Sequence, residues 1–393
     1  MSLGVTHSGF STSCHTPRRR SGSGTPPQVV PIPFAFRLVA AHNLGISAKP
    51  TIRGAPPEVA PLTRSTRTDD RLGHIIRVLG SNATIVISGT KLAQEIGITR
   101  SEVWRLVQQL RSLGVEIAGH PATGYQLLKV PDLPLPDVIA SPLSSTMFAG
   151  KIHHYFRVSS TNTEAMQAAA GGAPEGSVFL AEEQTAGRGR GGHSWTSPPS
   201  TGIYCSTVLR PPLAPADAII LSMLAGLAAA FAVEQVTGVK ADLRWPNDLL
   251  AGEKKFCGIL TEMNAEVTRV RYAVVGIGIN VNQEEFPPEL REIATSLRLV
   301  SGRACSRVQL AAALLQSLDR EYFALTSRDT REARRDIFRR FEQRSSYARG
   351  KHVHVEEDGG YDGTTAGLDD RGFLLVETKN GTRTVLSGGV RPL

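Results

Sequence analysis

Residues 244–260 read Arg-Trp-Pro-Asn-Asp-Leu-Leu-Ala-Gly-Glu-Lys-Lys-Phe-Cys-Gly-Ile-Leu. Pro246 forces an extended or turn conformation, so Asn247 and Asp248 are expected at a strand end. Lys255 follows Asp248 by seven residues, a spacing that fits a hairpin-like return bringing carboxylate and amine to one site. The apolar run from Phe256 to Met263 then reads as a strand. A turn accounts for the Asn-Asp pair without chemistry, and a contact to magnesium or a ribose is the sharper alternative. Lys255 is likewise either an exposed turn lysine beside Lys254 or a group at a reacting centre.

Outward from this hairpin, further strands are expected at 154–158, 177–183, 202–209 and 271–279. Helices are expected at 163–170, 216–236, 307–325 and 330–342. Irregular alternation over 138–345 indicates a mixed β-sheet covered by helices, an α+β fold rather than a strict βαβ series. Upstream, Leu72, Ile75, Ile76 and Leu79 recur at helical spacing before Gly80-Ser81-Asn82. A short helix over 90–96, the turn Gly97-Ile98-Thr99 and a third helix follow. Thr99 is suited to cap that third helix, which buries Val103, Leu106, Val107, Leu110 and Leu113 on one stripe. With two short extended runs at 115–118 and 124–128, residues 69–130 read as a winged helix-turn-helix. Pro131, Pro134 and Pro136 predict a stiff linker that separates it from the rest. Residues 346–393 alternate around Gly and Asp turns, predicting a small SH3-like β-barrel.

Composition constrains the partners. The net charge is +8, but residues 1–68 hold eight Lys/Arg against Glu58 alone and contribute +7 of it. The remainder is nearly neutral, so basicity is poor support for DNA binding. The Ser/Thr/Pro/Arg-rich tail reads as a disordered extension or a mis-called start, with an organellar transit peptide as the alternative. Cys14, Cys205, Cys257 and Cys305 form no C-x-x-C pair or zinc spacing, which fits a reduced cytoplasm. Residues 218–233 are apolar apart from Ser222, short for a bilayer span, and read as a buried helix, so no membrane partner is expected.

Two further segments carry polar groups suited to a ligand. In GRGRGG, Gly187–Gly192, four glycines permit close approach of peptide N–H groups while Arg188 and Arg190 offer bidentate donors. Such a loop suits closure over a reactive intermediate; alone it fits an RGG-like RNA-binding or solvated loop equally well. No phosphate-binding G-x-x-x-x-G-K-[ST] segment is present. Ser160-Thr161-Asn162 opens a helix and reads as a plain N-cap or as hydroxyl and amide groups satisfying a polar ring, such as a ureido group, in an apolar pocket. Gln184 and Tyr204 are candidates for the same wall. Trp195 either stacks on a ligand or anchors the loop.

The order STN, Q-x-x-GRGR-x-G-x-x-W, RWPND, K-x-x-GIL, GIGINVNQ, FPPEL and ATSL resembles the bifunctional biotin protein ligase and biotin-operon repressor family, over roughly 69–393. The resemblance implies that Ser160, Thr161, Asn162, Gln184, Arg188, Gly189, Arg190 and Lys255 bind biotin or its adenylate. Gly258 and Leu260 would line the pocket, with Asn280 near the nucleotide and Asp248 near magnesium and phosphates. It implies ATP-dependent formation of biotinyl-5′-AMP and transfer of biotin to a lysine of the biotin carboxyl carrier protein. Lys255, Arg188, Arg190 and Asp248 would carry the chemistry. Arg100, Ser101, Glu102, Arg105, Gln108 and Gln109 would form the DNA-reading face, operator DNA the partner, and a homodimer would form with the adenylate. Alternatives are a biotin-sensing regulator without ligase activity and a lipoate-type acyl ligase. Three departures stand out: Arg244 for the commoner lysine, Cys257 for a small alanine, and Gly389 where the family carries an acidic residue. The last questions any carboxylate contact from the terminal domain to the site.

Overall fold

The structure, a computed structural model, describes residues 64–82, 85–129, 131–327, 330–387 and 389–393. The expectations for the basic tail therefore fall on residues nearly all outside this set. The first unit packs α1 (Arg64–Gly80), α2 (Gly89–Ile96) and α3 (Arg100–Ser112) against the hairpin β1 (Ile117–His120) and β2 (Gly124–Leu127). Thr99 caps α3 by accepting from Glu102 N at 3.2 Å, and the stripe Val103, Leu106, Val107 and Leu110 is buried.

The segment around Pro131–Pro136 is not a free spacer. Leu133 and Leu135 join the apolar core of the first unit. Asp132 accepts from Arg307 N, Val308 N and Ser306 Oγ at 2.6, 3.0 and 3.1 Å. Pro136 begins a helix that the proline spacing concealed, α4 (Pro136–Leu143), as its fixed φ and missing N–H permit at a first helical position.

The central sheet contains β3 (Ile152–Tyr155), β4 (Val178–Ala181), β5 (Gly202–Leu209), β6 (Asp242–Arg244), β7 (Asp248–Ala251), β8 (Lys254–Ala265) and β9 (Val270–Asn280). Their order is β3-β4-β5-β9-β8-β7-β6, with only β3 and β4 parallel. On it pack α5 (Thr161–Ala170), α6 (Ile219–Thr237) and α8 (Arg307–Ser327); α9 (Thr330–Gln343) packs on α6 and α8, and the short α7 (Leu297–Ser301) precedes α8. Residues 215–237 are long and apolar enough to cross a bilayer, yet their most apolar window is 83% buried within the protein. The terminal domain is a five-stranded antiparallel sheet of β10 (Arg349–Val355), β11 (Tyr361–Leu368), β12 (Leu374–Thr378), β13 (Gly381–Val385) and β14 (Val390–Pro392), ordered β13-β12-β11-β10-β14.

A buried ionic cluster pins the start of α8 to the sheet. Glu182 meets Arg307 at 2.7 Å and His154 at 2.9 Å, and all three side chains are at most 4% exposed. Burial opposes ionisation of Glu182, but Arg307 and His154 outweigh it and hold the carboxyl at about 2. Removing one partner from such a pair costs about 3–5 kcal/mol. Beside it, Asp69 of α1 accepts from Phe156 N at 3.2 Å, and its other carboxylate oxygen is buried without a hydrogen-bond partner.

Candidate functional site

Thr161 and Asn162 open α5 but do not cap it, and Ser160, in the capping position, makes no capping bond. The polar atoms turn instead into a wall. Thr161 N and Oγ1 donate to Gln184 Oε1 at 2.9 and 3.1 Å, and Gln184 Nε2 donates to Ser197 Oγ at 2.9 Å. Ser206 Oγ lies 2.6 Å from Asn162 Oδ1 and 2.8 Å from Thr161 Oγ1. Asn162 Nδ2 donates to Leu260 O at 3.3 Å and to Glu262 Oε2 at 3.0 Å. Both amide hydrogens of Asn162 are thus engaged, and only its carbonyl oxygen has capacity left for a ligand. Arg188 Nη2 donates to the same Glu262 oxygen at 3.0 Å.

The floor is β9. Gly276 and Gly278 alternate along the strand and therefore share one face. A Cβ at Gly276 would lie 2.0 Å from Asn162 Oδ1, and one at Gly278 would lie 2.6 Å from the Trp195 ring. The indole also overlies Gly258, and the Lys255 ammonium stands 5.4 Å from a Trp195 ring centroid. Trp195 anchors the glycine loop as well, its backbone N–H donating to Gly187 O at 2.9 Å. Gly189 N donates to His193 O at 2.7 Å, so GRGRGG begins a narrow hairpin.

At the tip, Arg190 reaches the Ser387 carbonyl of the terminal domain. Ser387 N and Oγ donate to Glu357 Oε1 at 2.9 and 3.0 Å. Burial lowers the pKa of Arg190, with Asp248 and Glu357 opposing. The terminal domain therefore touches the loop without an acidic residue at 389. A Cβ there would lie 2.4 Å from a Glu356 carboxylate oxygen, so a further acid would face a like charge.

Pro246 follows a cis peptide bond, and the Arg244–Asn247 turn delivers Asp248 to the start of β7. The predicted return exists: β7 pairs with β8, and Lys255 Nζ lies 2.6 Å from Asp248 Oδ1. Arg244 Nη2 takes the other oxygen at 2.7 Å. Burial opposes the charge on Asp248, but Lys255 and Arg244 prevail and lower its pKa. Both oxygens of Asp248, the expected magnesium ligand, thus face cations in this structure. Among the described residues no group of three His, Cys, Asp or Glu side chains is placed to hold a metal. Asn247 is a structural tie, donating Nδ2–H to Ile259 O at 2.8 Å. Cys257 is fully buried, and burial raises its thiol pKa.

Ser160, Thr161, Asn162, Gln184, Arg188, Gly189, Arg190, Trp195, Tyr204, Lys255, Gly258 and Leu260 line one cavity. Tyr204 is wall rather than donor, since its hydroxyl donates to Pro198 O at 2.9 Å. Asn280 lines a second cavity, bounded largely by residues 283–294. Trp195 and Lys255 line both. Ser206, Glu262 and the Gly276/Gly278 floor were not anticipated; the every-second-residue glycines of GIGIN were the readable signal for the floor.

The candidate DNA-reading face is more open. Arg100, Ser101 and Arg105 are exposed, and Gln108 and Gln109 half-buried. Glu102 is half-buried, and its carboxylate accepts from Arg71 Nη1 at 2.6 Å and so braces α3 against α1. Arg111 donates to Ile117 O at 2.8 Å, tying α3 to the hairpin. Trp104 is 58% exposed on the same helix.

Comparison with known proteins matches residues 155–280 to the biotin/lipoate A/B protein ligase family, 71–126 to an HTH domain, and 349–390 to the biotin protein ligase C-terminal domain. The bifunctional ligase/repressor BirA of Bacillus spizizenii is 34% identical over 333 residues, covering 83% of this chain and 99% of that protein. The Escherichia coli protein of the same name is 28% identical over 290 residues, covering 74% of this chain and 88% of that protein. Among solved structures, the biotin protein ligase from Aquifex aeolicus in complex with biotin and ATP superposes with a TM-score of 0.54 at 28% identity, covering 62% of this chain and all of that one.

Proposed function

This chain belongs to the bifunctional biotin ligase/repressor family, and we propose that it joins biotin to the biotin carboxyl carrier protein and represses transcription in response to biotin. The observation that carries the ligase reading is the shared boundary of the two cavities. Lys255 and Trp195 line both, so a carboxylate held in the first and a nucleotide in the second would meet at the Lys255 ammonium. A biotin carboxylate oxygen attacks the α-phosphorus of ATP, and the bond to pyrophosphate breaks to leave biotinyl-5′-AMP. The lysine amine of the carrier then attacks the acyl carbon, loses its proton, and AMP departs.

Bringing two anions together is the electrostatic problem, and fixed cations address it most effectively in a site shielded from water. Lys255 is held by Asp248 and the Trp195 ring, so its orientation is set before substrates arrive. Arg188 and Arg190 supply the remaining positive charge, and the hairpin carrying them covers the mixed anhydride. Magnesium would enter this scheme as the counter-ion of the ATP phosphates, with Asp248, beside Lys255, the carboxylate proposed to lie near it.

We assign residues 69–130 to operator DNA, 138–345 to the two chemical steps and 346–393 to bracing the loop through Ser387. The adenylate-bound form is proposed to dimerise through sheet edges, in a cytoplasm where Cys205, Cys257 and Cys305, all buried and free, stay reduced. Sedimentation with and without biotinyl-5′-AMP tests the dimer, and a monomer in both states removes it.

The deciding experiment is transfer of labelled biotin to a purified carrier domain with Mg-ATP, for wild type and Lys255→Ala. Transfer that falls about 100-fold or more in the variant is expected, the scale of losing one preorganised charge partner. Wild-type protein that binds biotin but transfers none would leave only the sensing role.

A further inference from the structure

Among the described residues, Glu262 is the one carboxylate bonded to both sides of the ligand wall. A single oxygen, Oε2, accepts from Asn162 Nδ2 and from Arg188 Nη2, each at 3.0 Å. The two donors come from separate segments, the α5 start and the glycine loop. Glu262 itself sits on β8, two residues beyond Leu260, and is 7% exposed.

An arginine whose Nη2 gives one hydrogen to a carboxylate keeps an Nε–H edge that can still donate to an oxygen of a second carboxylate or a phosphate. Here Arg188 Nε is buried and makes no hydrogen bond. A buried donor without a partner is unfavourable, so the arrangement favours an acceptor arriving along that edge. A guanidinium with no counter-ion in this setting would either withdraw toward water or be costly to keep in place.

We propose that Glu262 is a positioning residue for biotin capture: its negative charge holds Arg188 in the cavity with the Nε edge toward an incoming anion and fixes Asn162 in the same bond. This rests on the ligase reading and specifies what sets its affinity for biotin. The role requires the charge, since a neutral amide of the same shape accepts hydrogen bonds but does not balance a guanidinium.

The test is biotin-dependent exchange of pyrophosphate into ATP for wild type, Glu262→Gln, Arg188→Gln and the double variant. Glu262→Gln should raise KM for biotin by about 10-fold or more, with a smaller change in kcat, because the loss falls on capture. If Glu262 acts through Arg188, the double variant should be little worse than Arg188→Gln alone. Unchanged KM in Glu262→Gln overturns the inference, as do losses that multiply in the double variant. If Glu262→Gln does not fold, Arg188→Gln/Glu262→Gln leaves neither charge unpaired and carries the test. A KM for this double variant well above that of Arg188→Gln then overturns the inference. Absence of exchange in wild type would instead count against the ligase reading itself.

Discussion

The ligand cavity and the exposed face of α3 treat their polar side chains in opposite ways. In the cavity Thr161, Asn162, Gln184, Arg188, Ser206 and Glu262 are bonded to one another, and a ligand must fit the capacity left over. On α3 Glu102, Arg111 and, through Arg111, Gln108 are tied down, while Arg100 and Ser101 project into solvent and the exposed Arg105 meets Glu102 at 3.9 Å. A closed network discriminates by shape and by unmet hydrogen bonds, as capture of a small molecule requires. An open face with exposed cations suits a long polyanion, whose phosphates reward charge more than geometry.

The largest effect should follow from breaking the closed network at its floor. Gly276→Ala puts a methyl group 2.0 Å from Asn162 Oδ1, and neither the backbone of a central strand nor a doubly anchored amide yields easily. Biotin affinity measured by calorimetry should fall about 100-fold or more, as expected when several buried hydrogen bonds are displaced together, while DNA affinity without biotin stays the same. Wild-type biotin binding in this variant would show the wall to be more pliable than its bonding suggests.

The open face should respond in the converse way. Arg105→Ala removes one exposed guanidinium and should weaken binding to DNA chosen from a random-sequence pool roughly 10-fold. The slope of log affinity against log salt should fall by about one, the signature of one lost phosphate contact. Biotin transfer should not change. A loss confined to particular sequences, with the slope intact, would mean that Arg105 reads a base.

These two regions were unequally readable. The stripe of α3, its Thr99 cap, the full extent of β5 and the Asp248–Lys255 return all followed from local spacing, because helices, caps and hairpins are decided within a few residues. Membership of the cavity wall was largely legible as motifs, but its wiring was not. Glu262 and Ser206 are single polar residues in otherwise ordinary strands, and their partners lie as far as 100 residues away. Arg307 looked like a helix-start residue, and only the three-dimensional approach of β4 explains why a fully buried arginine is tolerated. The stiff linker misled for a related reason, since Asp132 and Leu133 reveal their roles only when α8 and the first unit come together.

A third expected effect lies where the two regions join. Asp69 has its carboxyl pushed up to about 6, chiefly by burial, with the Phe156 N–H and His154 pulling the other way and Asp70 adding to the rise. Its ordinary value is 3.8. Below that value both folded and unfolded chains carry the proton, and the group is neutral toward stability. As pH rises toward 6 the unfolded chain releases its proton first, so folding is progressively disfavoured, by about 3 kcal/mol once the folded form has ionised too. Asp69→Asn keeps an acceptor for Phe156 N without the charge. It should melt several degrees above wild type at pH 7.5, with the difference fading through pH 6 and gone near pH 4. A difference independent of pH would place the effect in packing rather than ionisation.

The smallest effect belongs to the strap between the cavity and α3. Ser197 accepts from Gln184 in the wall, and three residues later Ser200 Oγ donates to Leu113 O at the end of α3, at 2.8 Å. Ser200 also holds a left-handed backbone, φ 55°, unusual for a residue with a Cβ. Ser200→Ala keeps that strain and loses the bond, whereas Ser200→Gly loses the bond and relieves the strain. Thermal melts should therefore rank glycine at or near wild type and alanine about 1 kcal/mol below it. Because one hydroxyl is the direct bond from this strap to α3, the influence of biotin on DNA affinity should change no more than about fivefold in either variant. A larger change in both would make this bond the principal route between the closed site and the open face, and a change in alanine alone would assign the effect to backbone strain.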